Sequence, residues 1–335
     1  MTSDTTAAAV ATARRDAVLL WGAIAVTVVL WASAFVGIRA AAHDFSPGAL
    51  TLGRIVVGSV ALTVLRLVLV RRSRRTSGSV PLEERRDRVP RGRILALVAV
   101  WGVAWFGVYN IALNAAEQHV DAGTAALLVN IAPMITAVLA GLLLGEGFPR
   151  RLVVGMIVAL TGVVVIGVST STGQFDAIGV VLGLLAAVVY GCGATLQKRL
   201  LRHVDAPTIT WLGCLAGTLA CLPFLPQLVS ALAAAPTSSV LAVVYLGIFP
   251  TAVAFTTWGY VLSRSTAGRT AASTYAVPAV VVLLSWAVLD ETPPAAALLG
   301  GALALGGVAV ATLRAGSPGS RNDSRRAVPE GPAVE

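Results

Sequence analysis

The sequence predicts an all-α polytopic membrane protein with ten transmembrane helices, arranged as two inverted five-helix repeats. Composition, evenly spaced apolar runs and an internal repeat support this prediction. Of the 335 residues, 56% are hydrophobic and only 12% are charged, about half the charged fraction of a typical soluble domain. Too few polar side chains exist to cover a soluble globule. Disorder is also excluded, because disordered chains have low hydrophobicity.

Each apolar run is long enough to cross a bilayer as a helix, which takes about 20 residues. Helix is required because backbone polar groups in hydrocarbon must be satisfied within the segment, and runs such as 152–168 lack the alternation of barrel strands. The first run is too long for a signal-peptide core and no A-x-A cleavage site follows it, so it is predicted to be a retained span. The predicted spans are 17–38, 47–70, 94–114, 122–144, 152–169, 178–197, 208–228, 240–262, 270–289 and 295–313.

The polar segments divide the chain. Residues 1–16 are predicted to be a cytoplasmic N-terminal segment, and residues 71–93 a basic loop without a fold of its own. The last segment, 314–335, is rich in Gly, Ser, Pro and Asn, which predicts a disordered tail. The first repeat then covers 17–169 and the second covers 178–313.

Positive charge predicts the orientation. The net charge is +9, but the positive residues lie in short runs between apolar stretches, which favours membrane orientation over nucleic-acid binding. With the N-terminus inside, 23 of the 25 Lys and Arg residues fall on the inner side. Arg39 falls outside, and Arg54 lies within a span. This bias predicts a multi-pass protein of the bacterial plasma membrane with both termini in the cytoplasm.

The second half of the chain repeats the first at an offset of 145 residues. Eight of twenty positions are identical between 146–165 and 291–310, and Pro133 pairs with Pro278 at the same offset. In the earlier part of each half the offset is 159, because the first half has the longer loop. Five spans per half is an odd number, so the halves cross the membrane in opposite directions, as in many transporters.

Short motifs also follow one another in a fixed order along residues 17–313. They are Trp31-Ala-Ser-Ala-Phe-Val-Gly-Ile-Arg39, Pro47 with Arg54, Ala125-Ala-Leu-Leu with Pro133, Leu142-Leu-Leu-Gly-Glu146, Tyr245-Leu-Gly with Pro250-Thr251-Ala252, and Pro278 with Asp290-Glu291. In order, spacing and duplication, they resemble the drug/metabolite transporter superfamily, in its EamA-type branch. The resemblance implies a ten-helix secondary transporter that moves small metabolites, often outward, through a cavity between the repeats. One departure is that the second-half equivalent of Arg54 is apolar.

Polar and aromatic side chains within spans are the candidates for a substrate site, because polar groups are costly there. A proline three residues after Asn130, and another three after Tyr275, should open each helix and free carbonyl groups beside these side chains. The predicted substrate-binding residues are Trp31, Ser33, Trp105, Tyr109, Asn110, Asn130, Tyr190, Thr251 and Tyr275, with Pro133 and Pro278 as helix-kink residues.

Each candidate also has a structural interpretation. The aromatic rings can pack against neighbouring helices or form an interfacial belt, the asparagines can join helices, and the hydroxyls can bond their own helix backbone. Arg54 is either a cavity cation that meets an anionic group, or a side chain that reaches the interface or pairs with a neighbouring helix. Glu146 and Glu291 close spans 4 and 9, as functional or merely interfacial acids. No carboxylate is predicted deep inside a span, which leaves a buried proton relay unsupported.

Two stripes of small residues are predicted to be sites of close helix contact, within one subunit or between two. They are Gly155/Ala159/Gly162 and Gly300/Ala304/Gly307. The contact between subunits would make a homodimer, which the sequence allows without requiring.

The sequence thus predicts a secondary transporter that exports small metabolites, such as amino acids or related compounds, by alternating access. The alternatives are an intramembrane enzyme, for which no HExxH or GxSxG motif is present, and a non-transporting scaffold. The predicted partners are a small-molecule substrate and the lipid bilayer, without nucleic acid. The three cysteines show no metal-binding spacing, so neither a metal nor a cofactor is predicted. The substrate, the direction of transport and any coupling ion are left undefined.

Overall fold

The computed structural model describes residues 2–76, 89–120, 122–170, 176–289 and 294–313. Within these ranges every regular element is a helix, and nine helices are long and apolar enough to cross a membrane. The fourth predicted span contributes a shorter apolar helix, because it is interrupted. The prediction of an all-helical polytopic membrane protein is therefore confirmed.

The spans are numbered in chain order. Spans 1 and 2 are Thr2–Ala41 and Pro47–Thr76; span 3 is Arg93–His119; span 4 is Ala122–Val129 with Ala132–Leu143; span 5 is Arg150–Thr170; span 6 is Ala177–Leu200; span 7 is Ala206–Cys221 with Leu225–Ala234, joined by a short 3₁₀ turn; span 8 is Thr237–Arg264; span 9 is Ala267–Ser273 with Ala276–Leu289; and span 10 is Ala295–Thr312.

Several helices continue beyond the apolar runs that predicted them. Span 2 remains helical to Thr76, so the first residues of the predicted 71–93 loop are helix, which corrects that boundary. The middle of this loop (77–88), the tail (314–335) and Glu291 lie outside the described residues.

Spans 4 and 9 are interrupted at related places. The interruptions are at Asn130–Ile131 and Thr274–Tyr275, just before Pro133 and Pro278. A proline ring clashes with the carbonyl group four residues earlier. In span 4 that carbonyl belongs to the last residue before the break, and in span 9 it belongs to the first residue of the break. The prolines therefore account for both interruptions.

Spans 3 and 8 each contain one π-helical turn, which the sequence analysis did not predict. The turns are Val103–Tyr109 and Gly247–Val253, at nearly equivalent positions of the two halves. Pro250 lies inside the second turn and cannot donate a backbone hydrogen bond. Such turns are often found at functional sites. Both halves thus carry one broken span and one span with a π-turn.

Spans 5 and 10 cross along the two small-residue stripes. A Cβ atom on Gly155 would lie 2.6 Å from the Gly307 carbonyl oxygen, and one on Gly162 would lie 2.4 Å from the Gly300 carbonyl oxygen. Gly155 and Gly300 are equivalent in the repeat, as are Gly162 and Gly307. Equivalent residues therefore exchange partners, as a two-fold relation between the halves requires. The stripes pack within the chain.

Glu146 connects the two interrupted spans. Its carboxylate accepts hydrogen bonds from the backbone N–H groups of Ala267 (2.8 Å) and Gly268 (3.1 Å), in the first turn of span 9. The first N–H groups of a helix have no partner in the helix, and the helix dipole favours a negative charge there. Glu146 is therefore a cap that holds the end of span 4 against the beginning of span 9.

We predict that Gly307→Ala destabilises the protein while Gly306→Ala does not. A Cβ atom on Gly307 would lie 2.3 Å from the Ala159 nitrogen, whereas one on Gly306 meets nothing within 4 Å. Forcing the spans apart should cost about 1–3 kcal/mol, and thermal unfolding of the two variants in detergent measures it. Equal melting temperatures would show that the close crossing of spans 5 and 10 is not needed for stability.

Candidate functional site

Spans from both halves enclose a cavity of about 80 Å³. Spans 1, 2, 3 and 4 contribute from the first half, and spans 6, 8 and 9 from the second. Pockets for drug-sized ligands have volumes of about 300–1,000 Å³, so this cavity holds little free space. Seven of the eleven predicted site residues line it: Trp31, Trp105, Tyr109, Asn110, Asn130, Pro133 and Tyr190.

Five aromatic rings form a continuous wall, which we call the aromatic box: Trp31, Trp105, Tyr109, Tyr190 and Phe255. The ring centroids of Trp105 and Tyr190 are 4.9 Å apart, and those of Trp31 and Phe255 are 5.3 Å apart. Trp31 and Tyr190, which are equivalent in the repeat, meet edge to face at 6.3 Å. These distances are typical of favourable aromatic pairs. The box therefore joins the two halves.

The ring of Trp105 depends on a glycine of span 6. A Cβ atom on Gly193 would lie 2.1 Å from the Trp105 ring, so any larger residue here would force the ring to move. Trp101 donates a hydrogen bond from its ring nitrogen to the Gly193 carbonyl oxygen at 3.0 Å and is fully buried outside the cavity. At a spacing of four residues, Trp101, Trp105 and Tyr109 would share one face of a regular α-helix. The π-turn changes that spacing, so Trp101 faces span 6 while the other two face the cavity.

Asn110 supports the π-turn of span 3. Its amide nitrogen donates hydrogen bonds to the carbonyl oxygens of Trp105 (3.0 Å) and Phe106 (3.2 Å). These bonds satisfy carbonyl groups at an irregular turn, where the regular helix pattern is lost. Asn110 therefore stabilises its own helix rather than joining two helices, and it also lines the cavity. Its carbonyl oxygen is the group left to meet a ligand.

Tyr190 brings an unsatisfied hydroxyl group to the cavity. The hydroxyl lies toward Thr274 but closes no hydrogen bond of standard geometry with a described residue. Thr274 lines the same cavity and donates its own hydroxyl hydrogen to the Ala271 carbonyl oxygen at 2.7 Å. A buried hydroxyl without a partner costs stability, so this group is available to a ligand.

Arg54 also lines the cavity, and it is only 5% exposed. The nitrogen Nε donates to the hydroxyl oxygen of Thr251 at 3.2 Å, and that hydroxyl donates to the Leu246 carbonyl oxygen at 2.8 Å. Span 8 lies close to span 2 at this point: a Cβ atom added to Gly247 would lie 2.6 Å from the Arg54 carbonyl oxygen. The side chain is turned inward, which excludes the interpretation that it reaches the membrane interface.

Four predicted site residues do not line the cavity. Ser33 bonds the Leu30 carbonyl oxygen (2.9 Å) and the Tyr245 hydroxyl (2.6 Å), and Thr251 holds Arg54 in place. Tyr275 is fully buried among residues of spans 1, 5 and 10, and Pro278 lies beyond the cavity lining. The structure places these four outside the cavity lining, and a role for any of them in transport stays a prediction.

A shift in register explains the placement of Tyr275. It is equivalent to Asn130 at the offset of 145, but the break in span 9 begins one residue earlier than the break in span 4. One residue turns a helical side chain by about 100°. Thr274 therefore takes the place at the cavity that the sequence analysis assigned to Tyr275.

Glu117 was not predicted to lie within a span, because span 3 extends beyond the apolar run that predicted it. The run was predicted to end at 114, but the spanning helix continues to His119 and includes Glu117. Its oxygen Oε1 is buried without a hydrogen-bond partner among the described residues, and its charge acts on Arg39 and Arg54. Glu117 lies in the last turn of span 3, so the prediction that no carboxylate lies deep inside a span stays a prediction. Within the same described ranges, no group of three or more His, Cys, Asp or Glu side chains is arranged to hold a metal ion.

Comparison with known proteins gives consistent matches. The model of the EamA-like transporter family matches residues 18–168 and 177–313. A probable terminal-alkyne amino-acid exporter of Streptantibioticus cattleyicolor is 36% identical over 89% of this chain and 97% of its own length. A probable amino-acid metabolite efflux pump of Escherichia coli is 25% identical over 88% and 94%. A solved crystal structure shares the fold with a TM-score of 0.68, at 24% identity over 87% of this chain and 95% of its own.

We predict that Asn110→Ala lowers the melting temperature. The change leaves the Trp105 and Phe106 carbonyl oxygens without their side-chain donor, at a cost of roughly 1–3 kcal/mol. Gln118→Ala is the control, because Gln118 is an exposed residue later in the same span. Thermal unfolding of both variants measures the difference. If Asn110→Ala unfolds at the wild-type temperature, the amide does not support the π-turn.

Proposed function

The chain belongs to the EamA-like transporter family, and from this premise we propose that it exports amino acids or closely related metabolites by alternating access. Its role as a membrane transporter agrees with the sequence analysis, and the resemblance to this family is confirmed. Because the family is one of transporters, both alternatives are excluded, the intramembrane enzyme and the non-transporting scaffold.

The names of the relatives support the substrate class. One is named a probable terminal-alkyne amino-acid exporter and another a probable amino-acid metabolite efflux pump, and this chain spans nearly the whole length of each. Both names describe outward movement, of an amino acid in one case and of amino-acid metabolites in the other. An exporter of such compounds is therefore the proposal with the most support.

The small cavity between the halves carries the proposal. Its free volume of about 80 Å³ falls well short of the roughly 300–1,000 Å³ of a pocket for a drug-sized ligand. A substrate larger than this free volume therefore needs the lining spans to move apart. The breaks in spans 4 and 9, with the π-turns in spans 3 and 8, are places where helices bend at low cost, because regular hydrogen bonding is already interrupted there.

The orientation is proposed on the distribution of charge. With both termini in the cytoplasm of a bacterial plasma membrane, the arginine-rich ends of span 2 and span 6 lie inside. The two repeats are proposed to cover 17–169 and 178–313, with the cavity between them. The partners are then the substrate and the bilayer, without nucleic acid. Because both small-residue stripes pack within the chain, a homodimer would need another surface.

Transport in proteoliposomes tests this function. Vesicles with the purified protein are preloaded with one unlabelled L-amino acid, and entry of the same labelled amino acid is followed for each common L-amino acid in turn. We expect saturable exchange of at least one, with the label recovered chemically unchanged. If none enters faster than into protein-free vesicles, the proposed substrate class is wrong.

Two tyrosine variants test whether the cavity is the transport site. The hydroxyls of Tyr190 and Tyr275 are both buried without a hydrogen bond to a described residue, but only Tyr190 lines the cavity. Replacing either with Phe removes an unsatisfied polar group and should raise stability, by roughly 1 kcal/mol. We expect Tyr190→Phe also to raise the transport KM several-fold, while Tyr275→Phe leaves it unchanged. An unchanged KM for Tyr190→Phe would exclude its hydroxyl from substrate binding.

A further inference from the structure

Arg54 is a buried positive charge that no described carboxylate pairs with at close range. It is 5% exposed, and its recorded hydrogen bond is the one from Nε to the neutral hydroxyl of Thr251. Within the described part of the chain, no salt bridge to its guanidinium group is present. A charged side chain inside a span is costly and is normally paired with an opposite charge or with a ligand. The cavity is therefore lined by a cation that no described carboxylate neutralises at salt-bridge distance.

The structure positions this guanidinium group with its terminal nitrogens free. The bond to Thr251 fixes Nε, and the bond from Thr251 to the Leu246 carbonyl oxygen fixes the hydroxyl in turn. The two terminal nitrogens donate to no described residue, and the side chain lines the cavity. A planar pair of N–H donors is the geometry that binds a carboxylate through two parallel hydrogen bonds.

The other charged groups that act on Arg54 do not replace a ligand. Glu117 attracts it from beyond salt-bridge distance and divides its attraction between Arg54 and Arg39. Tyr109 and Cys214 also face Arg54, but they are uncharged at neutral pH. Among the described residues, none of these groups forms a salt bridge with Arg54.

We propose that Arg54 binds the carboxylate of the transported molecule, so that the site selects compounds with a carboxylate over the amines that lack it. This inference rests on the proposed function and gives it a chemical basis. The aromatic box lines the same cavity and offers ring faces, which attract an ammonium group. A zwitterionic amino acid carries both groups, and its carboxylate distinguishes it from its decarboxylated amine.

The repeat makes this assignment asymmetric. The position in span 7 equivalent to Arg54 is apolar, so the carboxylate has one anchor in a nearly two-fold arrangement. The substrate therefore binds in one orientation, with its carboxylate toward span 2 and its ammonium group toward the aromatic box.

Transport by two variants tests the anchor. For an amino acid that the wild-type protein exchanges, Arg54→Gln should raise KM at least about tenfold, and Arg54→Lys should recover part of the loss because it keeps the charge without the planar pair of donors. An excess of the decarboxylated amine should inhibit amino-acid exchange only weakly in the wild-type protein. In Arg54→Gln it should inhibit exchange as strongly as the amino acid itself does. Arg66→Gln is the matched control, because Arg66 in the same span binds Thr208 and the Trp211 ring away from the cavity.

A binding measurement separates this inference from the proposed function. Sodium acetate, compared with sodium chloride at equal ionic strength, should raise the melting temperature of the wild-type protein and of Arg66→Gln, but not that of Arg54→Gln. Without ligand, Arg54→Gln should unfold at or above the wild-type temperature, because it removes an unpaired buried charge. If Arg54 had a structural role instead, Arg54→Gln would unfold below the wild-type temperature.

The outcomes are distinct. If no amino acid is exchanged but acetate stabilises the protein through Arg54, the proposed function fails and the anion site stands. If amino acids are exchanged with an unchanged KM in Arg54→Gln, or if that variant unfolds well below the wild-type protein and responds to acetate as before, the inference is overturned.

Discussion

The need to satisfy every backbone polar group inside a bilayer governs this structure. Most of the chain meets it with regular helix, but spans 3, 4, 8 and 9 depart from regular helix near the middle of the fold. Side chains replace part of what is lost: the Asn110 amide donates to carbonyl groups of span 3, and the Thr251 hydroxyl donates to one of span 8. These four spans all contribute to the cavity lining, whereas span 7, which has a 3₁₀ turn, does not. The cavity lies where the backbone is least regular.

Small residues allow the two halves to come close around this irregular centre. Spans 5 and 10 cross through glycines whose Cβ positions would overlap the opposite backbone, and Gly247 brings span 8 against the backbone of Arg54. In a membrane, helices associate mainly through such packing and through polar contacts, because lipid offers no hydrophobic driving force. The Glu146 cap adds a charge-assisted contact between spans 4 and 9. These contacts hold the spans of the two halves in a nearly two-fold symmetric frame. Arg54 makes the centre of this frame asymmetric, because its equivalent position in the second half is apolar.

The symmetry of the frame and the asymmetry of the site have different physical origins. A frame needs only shape complementarity, which both halves provide with equivalent small residues. A site must match one particular ligand, and the ends of a zwitterion carry opposite charges. Trp31 and Tyr190 remain equivalent members of the aromatic box, whereas Arg54 has no charged equivalent. The apolar surface is thus shared between the halves, and the charge belongs to one of them.

The sequence alone determined the class of protein, the number of spans and seven residues that line the cavity, because apolar run length, repeated motifs and the cost of polar groups in hydrocarbon are local properties. Phe255 of the aromatic box was not among those seven. Tertiary structure decided what depends on helix rotation and on contacts across the halves. The π-turn directed Trp101 and Trp105 to different neighbours. A break one residue out of register put Thr274 at the cavity position where Tyr275 was expected. Helix beyond the predicted apolar run placed Glu117 within span 3. Only the approach of span 8 to span 2 turned Arg54 inward. One residue rotates a helical side chain by about 100°, so composition and spacing locate the spans but do not fix which side chains face one another.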